Sequence, residues 1–205
     1  VPPQAVGRVT WTGAEHGVLW LPSTLPATDF GLTFRPSGIS FRSGLSTKSK
    51  VVGSLGTSAY LINDDNTGGT TLPHFPLGGA PSRAWAISPD GARAVGSSTS
   101  PNGKTRAAMW VGTTAAVDIS SGLEDPMNLR IGEGRAVNNA GVIVGWTSGF
   151  PSGGPSVQRP FRNTGNGAVL SDTDYLAVPE GGSGEGGDNA ATTSKSAHHA
   201  AGWFW

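Results

Sequence analysis

Arg35, Arg83, Arg106, Arg130 and Arg159 fall in or beside segments that read as long connections. Guanidinium groups converging from such connections suit an anionic ligand, a uronic acid or another carboxylate, because each planar fork donates two parallel hydrogen bonds. Trp146 and Phe150, in a segment of Thr, Ser, Gly and Pro, offer an apolar plate for a sugar ring or a partner side chain. Trp146 directly follows Gly145, as Trp203 follows Gly202, so burial between sheets is its competing role. Glu133 and Asp188 are the acids that, with a nearby Arg or His, would serve a hydrolase or lyase. Asp172, Asp174, Glu180, Glu185 and Asp188 form the densest acidic group. Oxygen-rich loops can hold calcium, but this spacing matches no calcium loop and the Gly-rich stretch reads as an acidic linker.

Other chemistries find little support. The four His, at 16, 74, 198 and 199, include no His-x-His or His-x-x-x-His pair, and the adjacent pair would point to opposite faces of a strand. No metal site and no cofactor is expected. Phosphate-binding Gly loops and a Gly-x-Ser-x-Gly elbow are absent. Fourteen basic residues balance fourteen acidic ones, so no field gathers nucleic acid. Apolar runs are far shorter than the roughly 20 residues of a membrane span. The chain has no Cys, which removes disulfides and thiolates without naming a compartment.

The elements that position these residues are strands. Gly and Pro, 32 and 15 of 205 residues, interrupt almost every window, and no stretch shows helical spacing of apolar positions. A unit recurs: a short apolar strand, a polar turn, then two small apolar residues and a Gly. Ala86–Gly96 and Ala136–Gly145 are its clearest copies, Gly44–Gly53 a third and Thr192–Gly202 a weaker fourth. Asp90-Gly91 and Ala140-Gly141 supply the Gly that a tight hairpin needs at positive φ. A strand with a bulky residue follows each anchor Gly, as in Ala107-Ala108-Met109-Trp110, and then a fourth strand. The anchors Gly53, Gly96, Gly145 and Gly202 lie 43, 49 and 57 residues apart, near the period of propeller blades.

Val9–Trp20 aligns without gaps over Ala108–Ile119, which predicts that the amino-terminal strands complete the last unit. The expected fold is therefore a single all-β domain over residues 1–205, a four-bladed β-propeller closed by pairing of N- and C-terminal strands. The closing blade would be split between residues 187–205 and 1–22, with the others at about 38–72, 84–119 and 134–170. A five-bladed propeller and a β-sandwich are the alternatives. Strand-joining turns would be short on one face of the disc and long on the other, and the long-loop face is the expected site.

The pattern Ala-x-x-Ile/Val-Asn-x-x-Gly-x-Val-Val-Gly, followed by an Ala-Phe-Leu-Trp-like strand, resembles the HAF extracellular repeat of secreted bacterial proteins. Residues 134–145 fit it best and 84–96 next; residues 38–53 and 189–202 lack the Asn-x-x-Gly turn. The resemblance covers about half the chain and carries no catalytic residues. It implies an exported protein, secreted or extracellular. The expected function is a secreted binding module that recognises carbohydrate or another cell-surface ligand through the long-loop face. The alternatives are a polysaccharide hydrolase or lyase, and a structural or adhesive domain among other domains of a longer chain.

Overall fold

The computed structural model describes residues 4–20, 27–31, 33–40, 48–120, 131–149, 157–163, 192–193 and 200–201. These residues form antiparallel β-sheets with no helix among them. Strands β1 (Ala5–Trp11), β2 (Ala14–Trp20) and β3 (Thr28–Gly31) make the first sheet. Strands β4 (Phe34–Ile39), β5 (Lys50–Leu55), β6 (Ser58–Asn63) and β7 (Thr70–Thr71) make the second. The third contains β8 (Gly79–Ile87), β9 (Arg93–Thr99), β10 (Thr105–Val111) and β11 (Val117–Asp118). The fourth contains β12 (Ile131–Val137), β13 (Ile143–Gly149) and β14 (Val157–Asn163), and a two-stranded sheet joins β15 (Thr192–Thr193) to β16 (Ala200–Ala201). Each is a meander in chain order.

The turn between the first two strands of a unit is closed by a buried polar side chain. In the fourth sheet Asn138 Oδ1 accepts the Val142 amide at 3.0 Å, while Gly141, at φ 81°, donates its amide to the Asn138 carbonyl. Ser88 does the same work in the third, its hydroxyl accepting the Arg93 amide at 3.0 Å, and Ser40 in the second, accepting the Lys50 amide at 2.8 Å. A hydroxyl thus replaces the amide where the Asn-x-x-Gly signature is missing from residues 38–53.

The anchor Gly answers a different constraint. Each first strand carries a bulge at the same place, at Ser37, Trp85 and Arg135, between residues that pair with the anchor and with the residue before it. The bulge presses the carbonyl of Arg35, Arg83 or Glu133 under Gly53, Gly96 or Gly145, where a Cβ would overlap that oxygen. No larger residue fits between the two backbones.

Both faces of the central strands are buried, which explains apolar pairs such as Val51-Val52 in place of strict alternation. At the junction of the first two sheets, Leu19 and Phe30 meet Phe34, Val51 and Ile62. At the next, Val52, Leu61, Leu72 and Phe75 meet Ala84, Ala94, Ala108 and Trp110. At the third, Val95, Ala107 and Met109 meet Val137, Ile143 and Phe161. The same pair of faces mates each time.

The ladder corrects one expectation. Gly7 pairs with Val18 as Gly96 pairs with Ala108, so Ala5-Val6-Gly7 occupies the place of Ala94-Val95-Gly96, and Trp20 that of Trp110. The strands β1 and β2 are therefore second and third strands of a unit, not third and fourth. Adjacent strands share a two-residue alternation and both carry Trp, so a one-strand slip preserves the apolar pattern. The face of the first sheet equivalent to the Trp110 face meets no other sheet among the described residues. Trp20 is 42% exposed there, whereas Trp110 is fully buried.

Candidate functional site

A cavity of about 130 Å³ opens where the first strands of the second and third sheets approach β1. Three repeated positions build it. The residue before the anchor's partner supplies Arg35 and Arg83, the bulge supplies Ser37 and Trp85, and the residue after the anchor supplies Arg8 and Ser54. The bulge makes this possible, because it rotates the strand so that residues on either side reach the same space. Ser37 Oγ holds two sheets together here by donating to the Ala84 carbonyl at 2.5 Å.

Three guanidinium groups thus face one small space. Glu15 Oε2 lies 3.1 Å from Arg8 Nη1 and 3.6 Å from Arg35 Nη2. Arg83 is exposed, makes no ion pair among the described residues, and places its guanidinium carbon 5.7 Å from the centre of the Trp85 ring. Arg135 also lies over the Trp85 ring, at 4.5 Å, and pairs with Glu133 at 2.6 Å. Cationic donors line the cavity, and one carboxylate, Glu15, pairs with two of them.

Of the residues expected to bind ligand, Arg83 lines this cavity, as does Arg35. Arg106 does not belong to a surface site. It lies on β10 and is fully buried, because the strand continues through residues 105–111 where a loop was expected. Glu133 and Trp146 likewise sit on strands, as a cross-strand pair of β12 and β13, both half-buried. Glu133 is occupied by Arg135, and Trp146 is packed within the sheet region, not displayed on a loop. Arg159 belongs to β14, its side chain outside the described set; Phe150, Arg130 and Asp188 lie outside the described residues. Of the long connections expected to hold the site, 73–83 and 97–106 are described in full and the others lie partly or wholly outside the described residues; the cavity lies mainly on strands.

Sequence reasoning missed Arg8 and Glu15, since it placed β1 one strand out of position, and Arg135, which sits at the β12 bulge. Correct placement of Ala5-Val6-Gly7 as an anchor would have put Arg8 beside Ser54. It also missed His16 Nδ1, 2.9 Å from Asp29 Oδ2. The Gly31 amide, followed by the His16 ring, holds the Asp29 carboxyl below its ordinary value despite slight desolvation. Among the described residues no Ser or Thr hydroxyl lies within hydrogen-bond distance of His16, whose Nδ1 pairs with Asp29. Among the described residues no three His, Asp or Glu side chains are placed to hold a metal ion, and no helix is long and apolar enough to cross a membrane.

No family model, curated protein or solved structure matches the chain. The cavity therefore carries the functional reading by its own chemistry.

Proposed function

We propose that this protein is an extracellular binding module of β-propeller type that recognises an anionic carbohydrate or another anionic cell-surface ligand. One observation carries the reading: Arg8, Arg35 and Arg83 come from three different sheets and converge on one cavity. Like charges gathered at repeated positions cost electrostatic energy unless a counter-charge occupies the space between them. Glu15 offsets only part of it.

The propeller arrangement is supported by three junctions that use the same two faces, and by the contact of successive first strands. Ser37 of β4 reaches Ala84 of β8, and a Cβ on Gly38 would touch the backbone of Ala86. The half-exposed Trp20 face is where such a ring would close. Export follows from the resemblance to secreted repeats.

Titration calorimetry with uronate-containing oligosaccharides, and with neutral ones as control, tests the function. Saturable binding of the acidic series is expected, with Arg83→Gln weakening it about ten- to a hundredfold, the worth of one charge-assisted pair. Equal binding of neutral and acidic saccharides, or binding of neither, would overturn the reading.

A further inference from the structure

We infer that the cavity accepts a ligand residue bearing a single carboxylate, and that Glu15 is the residue that sets this limit. The inference rests on the anionic-ligand reading above and deepens it.

Glu15 and Arg8 are diagonal neighbours on one face of the β1–β2 hairpin, since Arg8 pairs with Gly17 and Thr10 with Glu15. Both Glu15 oxygens receive Arg8 Nη1, at 3.1 and 3.3 Å, and one also lies 3.6 Å from Arg35. A carboxylate of the protein thus already occupies the gap between two of the three guanidinium groups. Arg83, on the third sheet, has no such partner among the described residues. An incoming anion finds the Arg83 fork without a fixed carboxylate, while Glu15 stands at Arg8 and Arg35.

A carboxylate suits that fork because its two oxygens match two parallel N–H donors. A phosphate monoester is a poorer ligand. It carries nearly two charges at neutral pH, so it meets the Glu15 charge with twice the repulsion while gaining no second open guanidinium. Glu15 is about half exposed, so its removal leaves no buried orphan. Replacing it by Gln removes one fixed negative charge from beside the Arg8 and Arg35 guanidinium groups. In water-like surroundings that strengthens binding about threefold for each ligand charge.

The experiment compares glucuronic acid, its neutral parent sugar, a sugar phosphate and a sugar sulfate ester on the wild type, Glu15→Gln, Glu15→Asp and Arg83→Gln by titration calorimetry. The wild type is expected to prefer the carboxylate. Glu15→Gln should bind carboxylate about threefold and phosphate about tenfold more tightly, narrowing the preference about threefold, while Glu15→Asp keeps the wild-type order. A preference unchanged in Glu15→Gln, or weaker binding of both anions, overturns the role of Glu15 and leaves the anionic-ligand reading standing. A sulfate ester bound as tightly as the carboxylate overturns the assignment to a planar group. Loss of all anion binding in the wild type overturns both readings.

Discussion

Trp110 and Trp20 hold the same position in the third and first sheets, one with a sheet packed on it and one without, so truncating each measures what a unit junction is worth. Trp110 is fully buried against the second sheet, and its indole nitrogen donates to the Pro73 carbonyl at 2.7 Å. Trp110→Ala removes the ring from a closed junction and strips that carbonyl of its donor. A buried Trp→Ala change costs about 3–5 kcal/mol, and the orphaned acceptor places this one in the upper half of that range. Trp20 covers Gly7 and is 42% exposed, so Trp20→Ala is expected to cost about 1–2 kcal/mol. Urea unfolding followed by far-ultraviolet circular dichroism gives both values, and the midpoints should differ by at least 2 kcal/mol in free energy. The reasoning is refuted if Trp110→Ala costs less than about 2 kcal/mol. A Trp20→Ala cost equal to a large Trp110→Ala cost has a separate meaning: the first sheet is covered in solution, and the ring is closed.

Three other outcomes follow from the same repeats. Gly96→Ala should destabilise by about 3 kcal/mol in the same unfolding assay, because its Cβ meets backbone of Arg83 and Ala84 that cannot swing aside. Asn138→Ala should cost about 1–2 kcal/mol by leaving the buried Val142 amide without its acceptor, whereas Asn138→Ser, the residue type at Ser40 and Ser88, should recover most of it. Burial raises the Asp90 carboxyl, but the Ser88 hydroxyl, the Ala92 amide and the Arg93 charge together lower it further, to below its ordinary 3.8. A depressed carboxyl favours the folded state above the ordinary value and loses that contribution as pH falls through the folded value. Thermal melts should therefore drop below about pH 4, and Asp90→Asn should flatten that acid limb.

The unit was legible because its constraints are local. A turn that needs Gly at positive φ, a polar residue three before it and an apolar pair after it leave a signature within a dozen residues, and the hairpins at 86–96 and 136–145 show all of it. The frame of the amino-terminal strands was harder. Val18-Leu19-Trp20 and Ala108-Met109-Trp110 do correspond, but Trp11 offers a second match nine residues earlier, and strand alternation cannot choose between them. Only the ladder pairing of Gly7 with Val18 decides it.

The cavity was half visible for a related reason. Arg35 and Arg83 are equivalent residues of successive units, so their convergence is a consequence of the repeat and not of any motif in the linear sequence. Side-chain type alone could not separate them from Arg106, which a strand one residue position out of reach of solvent buries completely. In a repeat protein the informative quantity is the position within the unit at which a charge recurs. Position and charge together explain why Arg35 and Arg83 face the cavity while Glu133, at the equivalent place on β12, is neutralised by Arg135 one bulge away. The third recurrence reverses sign, so the cationic surface ends at the fourth sheet and the proposed anion site is confined to the first three.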